Sequence, residues 1–117
     1  MTHNVREMLD EFVNGLGELE KTNEEHVGAF MGLLGVIYEP KALDLKTKEL
    51  MSIAISCYSR CEYCIVYHCY KALEAGATRE EIIESAMVSV AFGGGPSVAY
   101  SVTLLKASLD EFENDFK

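Results

Sequence analysis

Apolar side chains recur along this chain at intervals of three and four residues, and that spacing predicts helices almost from end to end. Val5, Met8, Leu9, Phe12, Leu16 and Leu19 mark a first amphipathic helix from about Asn4 to Glu20, with an acidic outer face and two weakening glycines, Gly15 and Gly17. Thr22-Asn23-Glu24-Glu25 has the form of a capping box, with Thr22 as N-cap and Glu25 reaching back. The helix it opens runs to about Ile37 and ends before Pro40. Gly28, Gly32 and Gly35 share one side of it. Each costs about 1 kcal/mol relative to alanine in a helix interior. The expected compensation is close approach of another helix rather than a ligand. Asp44 caps a third helix, Leu45 to about Tyr58, and a fourth begins beside Cys61 and stops at Gly76. Thr78-Arg79-Glu80-Glu81 is a second capping box, opening a fifth helix that turns Ile82, Ile83, Ala86, Met87 and Val90 inward and ends at Gly93-Gly94-Gly95. Pro96 suits the first turn of a sixth, whose seam is Val98, Val102, Leu105, Leu109, Phe112 and Phe116. The pattern predicts an all-α fold: one compact six-helix domain over residues 1–117, with no internal linker and no low-complexity segment.

Length and charge narrow the partners. A chain of 117 residues buries a real core as one domain. Its net charge of −9 repels phosphate backbones, so no nucleic-acid partner is expected. Residues 85–105 carry no charged side chain over 21 positions, the length of a membrane span. Gly93-Gly94-Gly95-Pro96 interrupts that stretch and serines dilute it, and a bilayer would leave the broken backbone unsatisfied. Two helices meeting at a turn fit better, with ends in the core or at a subunit contact. No membrane partner is expected. The uncharged stretch and the C-terminal seam offer more apolar surface than a small monomer hides, which predicts a homo-oligomer. Met1-Thr2-His3-Asn4 leads directly into the charged amphipathic pattern without a signal-peptide core, so the expected compartment is the cytosol.

Four cysteines, Cys57, Cys61, Cys64 and Cys69, fall within thirteen residues. In a cytosolic chain such clustering points to catalysis or metal binding rather than to structural bridges. Cys61 stands at the start of a helix, where unpaired N–H groups and the macrodipole favour a thiolate. Cβ atoms three residues apart on a helix lie about 5–6 Å apart, and a small adjustment of the first turn would let two sulfurs bond. His68 follows Cys64 by four residues and Cys61 by seven, so all three share a face and the imidazole can take a thiol proton. That spacing pairs His68 with Cys64, while the helix start favours Cys61; which sulfur attacks first stays open. On the third helix, Glu49, Ser52, Ser56 and Ser59 form a narrow polar line in an otherwise apolar segment. Glu49 is then either a solvated edge residue or a working carboxylate. Zinc is the chemical competitor, with Cys57, Cys61, Cys64 and His68 as a Cys₃His set. Structural zinc usually knits loops, and a second Cys-x-x-Cys or His pair is missing, so no metal is expected. Cys57 and Cys69 fit the role of buried small hydrophobes. Tyr63 is a surface ring or, lying between the thiols, a member of a proton path.

Glu49 followed by Cys61-x-Tyr63-Cys64-x-x-x-His68 resembles the signature of the alkylhydroperoxidase D-like branch of the carboxymuconolactone decarboxylase family. The flanking Pro40-x-x-Leu43-Asp44-x-Lys46-Thr47-Lys48-Glu49-Leu50 and Ala75-Gly76-Ala77-Thr78-x-Glu80-Glu81-Ile82 are similar to it too, so the resemblance spans roughly residues 20–110. It implies an all-helical protein assembling as trimers or hexamers. It also implies a cofactor-free peroxidase whose thiol pair becomes a disulfide and is restored by a dithiol reductant. Carried onto this chain, the family's proton relay assigns Glu49, Cys61, Cys64 and His68. The family hydroperoxidase has a histidine where Tyr63 stands, and the chain matches only that enzyme's motif-bearing half. The expected activity is therefore reduction of hydroperoxides by a Cys61–Cys64 pair. The alternatives are a thiol-disulfide reductase inert to peroxide, a carboxymuconolactone decarboxylase-like lyase, and a non-catalytic zinc-binding helical module. The decarboxylase branch lacks the thiol pair, which argues against the lyase.

Overall fold

The computed structural model describes residues 4–117. Residues 1–3, where the chain was expected to begin without a leader, lie outside the described residues. Four helices come first: α1 (Val5–Thr22), α2 (Glu24–Tyr38), α3 (Leu45–Ser59) and α4 (Glu62–Glu74). The C-terminal third is one helical body, Arg79–Phe116. It comprises α5 (Arg79–Tyr100), a π-helical turn (Ser101–Leu105), α6 (Lys106–Phe112) and a final 3₁₀ turn (Glu113–Phe116). No strand occurs among the described residues.

Most boundaries follow local chemistry. Asn4 accepts from the Glu7 N–H at the start of α1, and Asp44 accepts from the Thr47 N–H at 2.8 Å at the start of α3. Thr78 and Glu81 form the reciprocal capping box at the start of α5. Gly76, at φ +94°, follows the end of α4 as a left-handed cap. One expected cap is corrected. Asn23, not Thr22, stands at the N-cap of α2 and makes no side-chain bond there. Helix α1 runs past Glu20 to Thr22, so Thr22 belongs to its last turn and its hydroxyl donates to Leu19 O or to the Asn23 side chain.

Among the described residues the expected six separate helices are five helical bodies. Gly94 leaves the helical region at φ +59°, ψ −138°, so the fifth body is two helical stretches meeting at a kink, where the sequence placed the boundary between the fifth and sixth helices. Pro96, in the first turn beyond the bend, needs no N–H donor there. A Cβ on Gly93 would run into the Ser97 side chain, so the bend depends on small residues on both sides. By length and composition this body would pass for a membrane-spanning helix.

The core lies where α3, α4 and the C-terminal body meet. Phe112, Ile53, Ile65, Ile82, Leu104, Leu105 and Leu109 are its largest fully buried members. Helix α1 closes one side: Val5 is buried, and Arg6 donates to Glu111 at 2.6 Å and to Asp115 at 3.1 Å. Helix α2 is held more lightly, against α1 and one edge of α3. It leaves Phe30, Met31, Leu33, Val36 and Ile37 exposed. The radius of gyration is 14.4 Å, slightly above the roughly 13.4 Å usual for this length, as expected when one helix stands off. Three expectations of burial fail. Among the described residues nothing approaches Gly28, Gly32 or Gly35 closely enough to meet a Cβ, so no described helix packs on that stripe. Ile83 and Met87 are exposed rather than buried, and Phe92 further along α5 is 81% exposed. The C-terminal seam is half realised: Leu105, Leu109 and Phe112 are buried, while Val98, Val102 and Phe116 are exposed.

Candidate thiol site

The turn between α3 and α4 builds the site. Arg60, at φ +57°, is the only non-glycine residue with positive φ among the described residues; it terminates α3 in a left-handed turn. The next residue, Cys61, donates its N–H to Ser56 O at 3.2 Å and takes the N-cap position of α4. Its sulfur there accepts from the Cys64 N–H at 3.3 Å. The two cysteines are joined by a disulfide, with Cα atoms 5.2 Å apart.

One helical turn on, His68 meets the carboxylate from the polar line of α3. Its Nδ1–H donates to Glu49 Oε1 at 2.8 Å, with the two side chains 17% and 4% exposed. Glu49 is therefore not the solvated edge residue that the sequence also allowed. Accepting a hydrogen bond from Nδ1–H, the carboxylate selects the tautomer in which Nε2 carries the free lone pair. Two rings that the sequence did not single out frame the imidazole: Tyr38 stacks on it at 5.8 Å and 27°, and Tyr67 meets it edge-on at 5.2 Å and 83°.

Cys61, Cys64, His68 and Glu49 all line a single cavity of about 790 Å³ bounded by residues of α1, α2, α3 and α4. Its wall is mostly apolar, with Phe12, Leu16, Phe30, Met31 and Leu34 opposite the thiol turn. Tyr63 lines it as well, but its hydroxyl donates to Glu11 on α1, which holds the phenol above its ordinary pKa. That phenolic proton is directed toward α1. Cys57 and Cys69 are fully buried in the core, where burial pushes both thiols up. Ser101 Oγ lies 3.8 Å from Cys57 Sγ. Among the described residues, no group of three or more His, Cys, Asp or Glu side chains is placed to hold a metal ion.

Fold and site together describe an all-helical protein that sets a Cys-x-x-Cys pair against a buried Glu–His couple. Residues 24–107 match the Carboxymuconolactone decarboxylase family, and the chain belongs to that family. An uncharacterized protein of Cupriavidus necator is 29% identical over 86% of this chain and 89% of its own length. Uncharacterized protein 4 in the cox locus of Paracoccus denitrificans is 34% identical over 84% and 87%. Among solved structures, an apo carboxymuconolactone decarboxylase family protein from Legionella pneumophila superposes with a TM-score of 0.84 at 31% identity, covering 97% of each chain. A family member from Thermotoga maritima, described as a candidate for the antioxidative response, superposes with a TM-score of 0.75 at 30% identity, covering 93% of this chain and 96% of its own.

Proposed function

We propose that this protein is a thiol-dependent peroxidase that reduces hydroperoxides through Cys61 and Cys64, with His68 and Glu49 as proton relay. The observation that carries the proposal is the sharing of one cavity by a bonded Cys61–Cys64 pair and a His68 imidazole whose other nitrogen is held by a buried carboxylate. In the reduced protein, His68 Nε2 takes the proton of one thiol. The thiolate attacks the terminal peroxide oxygen, the O–O bond breaks, and an alcohol leaves with the proton returned by the imidazolium. The sulfur is then a sulfenic acid. The second thiol displaces its hydroxyl as water and forms the Cys61–Cys64 disulfide. A dithiol reductant restores both thiols by exchange and leaves as its own disulfide. The two electrons that reduce the peroxide thus come from the reductant, and no metal or flavin takes part. We place the reaction in the cytosol, in a trimer or hexamer whose contacts cover the exposed apolar faces of α2 and α5.

The test is a thiol titration of reduced protein before and after one equivalent of an organic hydroperoxide, repeated on Cys61→Ser and Cys64→Ser. Native protein is expected to lose two thiols per peroxide, and each variant to lose turnover. Trapping of sulfenic acid in only one variant would identify the attacking sulfur. Full peroxidase activity in both variants would overturn the proposal. Thiols untouched by peroxide but oxidised by a disulfide substrate would make the protein a thiol-disulfide reductase. The family match equally admits a lyase, which predicts an activity that survives both cysteine substitutions.

A further inference from the structure

Tyr38 is the last residue of the lightly held helix α2, yet it is the most firmly tied point on that helix. Its hydroxyl donates to Ser52 Oγ at 2.5 Å, and the Ser52 hydroxyl donates in turn to Lys48 O at 2.9 Å. The Lys48 ammonium donates to the carbonyls on either side of Tyr38, Ile37 O at 2.8 Å and Glu39 O at 2.7 Å. Ending a helix needs none of the first of these bonds. Together they tie the end of α2 to α3 at the point where the Tyr38 ring stacks on His68, with centroids 5.8 Å apart.

A hydrogen bond to Glu49 fixes the imidazole at one atom only. The ring can still roll about that bond, and rolling swings Nε2 away from the sulfurs. Positioning a catalytic group within about 10–20° requires packing on its faces as well as a hydrogen bond. We infer that Tyr38 is a positioning residue for His68: its ring, anchored to α3 through Ser52 and Lys48, sets the imidazole plane and hence the direction in which Nε2 meets the thiols. Glu49 from α3, Tyr38 from α2, and Tyr67 and Lys71 from α4 are the polar or titratable groups around the imidazole. Of these, Glu49 is its hydrogen-bond partner, and Lys71 is paired with Glu74 at 2.8 Å. The inference rests on the reading of Cys61, Cys64 and His68 as a thiol centre.

The test measures alkylation of the reduced, full-length protein by iodoacetamide as a function of pH, so no peroxide is involved. Tyr38→Leu is expected to slow alkylation about tenfold at neutral pH, a small share of the 10²–10⁴ that a well-placed general base supplies. It is also expected to move the rise in rate to higher pH. Tyr38→Phe keeps the ring and is expected to recover to within about threefold of native. In a His68→Gln background Tyr38→Leu should have no further effect, since the ring acts through the imidazole. A native pH profile for Tyr38→Leu overturns the inference, as does an equal loss in the His68→Gln background. If circular dichroism shows Tyr38→Leu unfolded, Ser52→Ala replaces it. Ser52→Ala keeps the ring and loses only its anchor, so a smaller loss in the same direction is expected and a native profile is refuting. A protein inert to peroxide whose alkylation still depends on Tyr38 would sink the peroxidase proposal and leave this one standing.

Discussion

Replacing Glu49 by glutamine changes one atom at the bond that orders the site. The native carboxylate accepts from His68 Nδ1–H at 2.8 Å in an almost fully buried setting. Two services end with the substitution. A carboxylate can only accept, so it permits one tautomer; an amide can accept or donate, and so permits both. The carboxylate also stabilises the imidazolium formed when Nε2 takes a thiol proton. A hydrogen bond with a charged partner contributes about 1.5–3 kcal/mol, against about 1 kcal/mol for a neutral one. The difference, about 0.5–2 kcal/mol, corresponds to roughly 2- to 30-fold in rate. We therefore expect Glu49→Gln to slow peroxide-driven disulfide formation about tenfold, measured by stopped flow on the reduced protein. Stability should move by no more than about 1 kcal/mol, because removing a buried charge also removes its desolvation cost. Glu49→Ala is the contrast: it leaves a cavity and an unpartnered imidazole, and is expected to destabilise by about 2–4 kcal/mol. A Glu49→Gln protein with native melting temperature and a rate within twofold of native would refute the relay.

Four further outcomes test the fold around the site. Gly94→Ala, at a φ of +59° with ψ −138°, is expected to cost about 1–3 kcal/mol in chemical denaturation; by contrast Gly28→Ala and Gly32→Ala, whose added Cβ meets none of the described residues, should stabilise an isolated subunit by about 0.5–1 kcal/mol each. Loss of stability in those two variants together with loss of assembly would place the glycine stripe in a subunit contact. The Thr47 hydroxyl, and after it the Thr47 N–H, hold the Asp44 carboxyl below its ordinary value, so its contribution to stability is present above about pH 3.9 and is lost as pH falls through the lower folded-state value; melts of Asp44→Ala should show a shallower acid limb than native. Phe92→Asp removes an 81% exposed ring, and since burying a phenylalanine contributes about 1.5–3 kcal/mol, sedimentation of the variant should show a shift toward monomer; an unchanged distribution would exclude the α5 face from the assembly.

What the sequence revealed and what it hid divide by range. The capping box at Thr78 and Glu81, the cap at Asp44, the left-handed Gly76 and the N-cap position of Cys61 are decided by residues within a few positions of one another, and each is where the spacing put it. The Thr22 box failed by one residue because α1 and α2 meet at Asn23, and two helices competed for the same threonine. Glu49 was legible as an anomaly but not as a partner: its burial depends on α4 crossing α3, with His68 lying 19 residues away. Tyr38 gave no local signal beyond standing just before Glu39-Pro40, since its partners come from α3 and α4. The outward-facing Ile83, Met87 and Val98 were misassigned for another reason. Periodicity marks an apolar face without saying whether this chain or another one covers it.

Cys57 and Cys69 are shut inside the core, and burial holds both in the protonated, unreactive form. Of its four cysteines, the folded chain therefore offers an oxidant in water the thiols of only two. Under a large excess of oxidant the native protein should neither scramble its bridges nor crosslink to its neighbours through the other pair. Those two would answer a thiol reagent only after a denaturant is added, which makes them an internal gauge of whether the molecule is still folded.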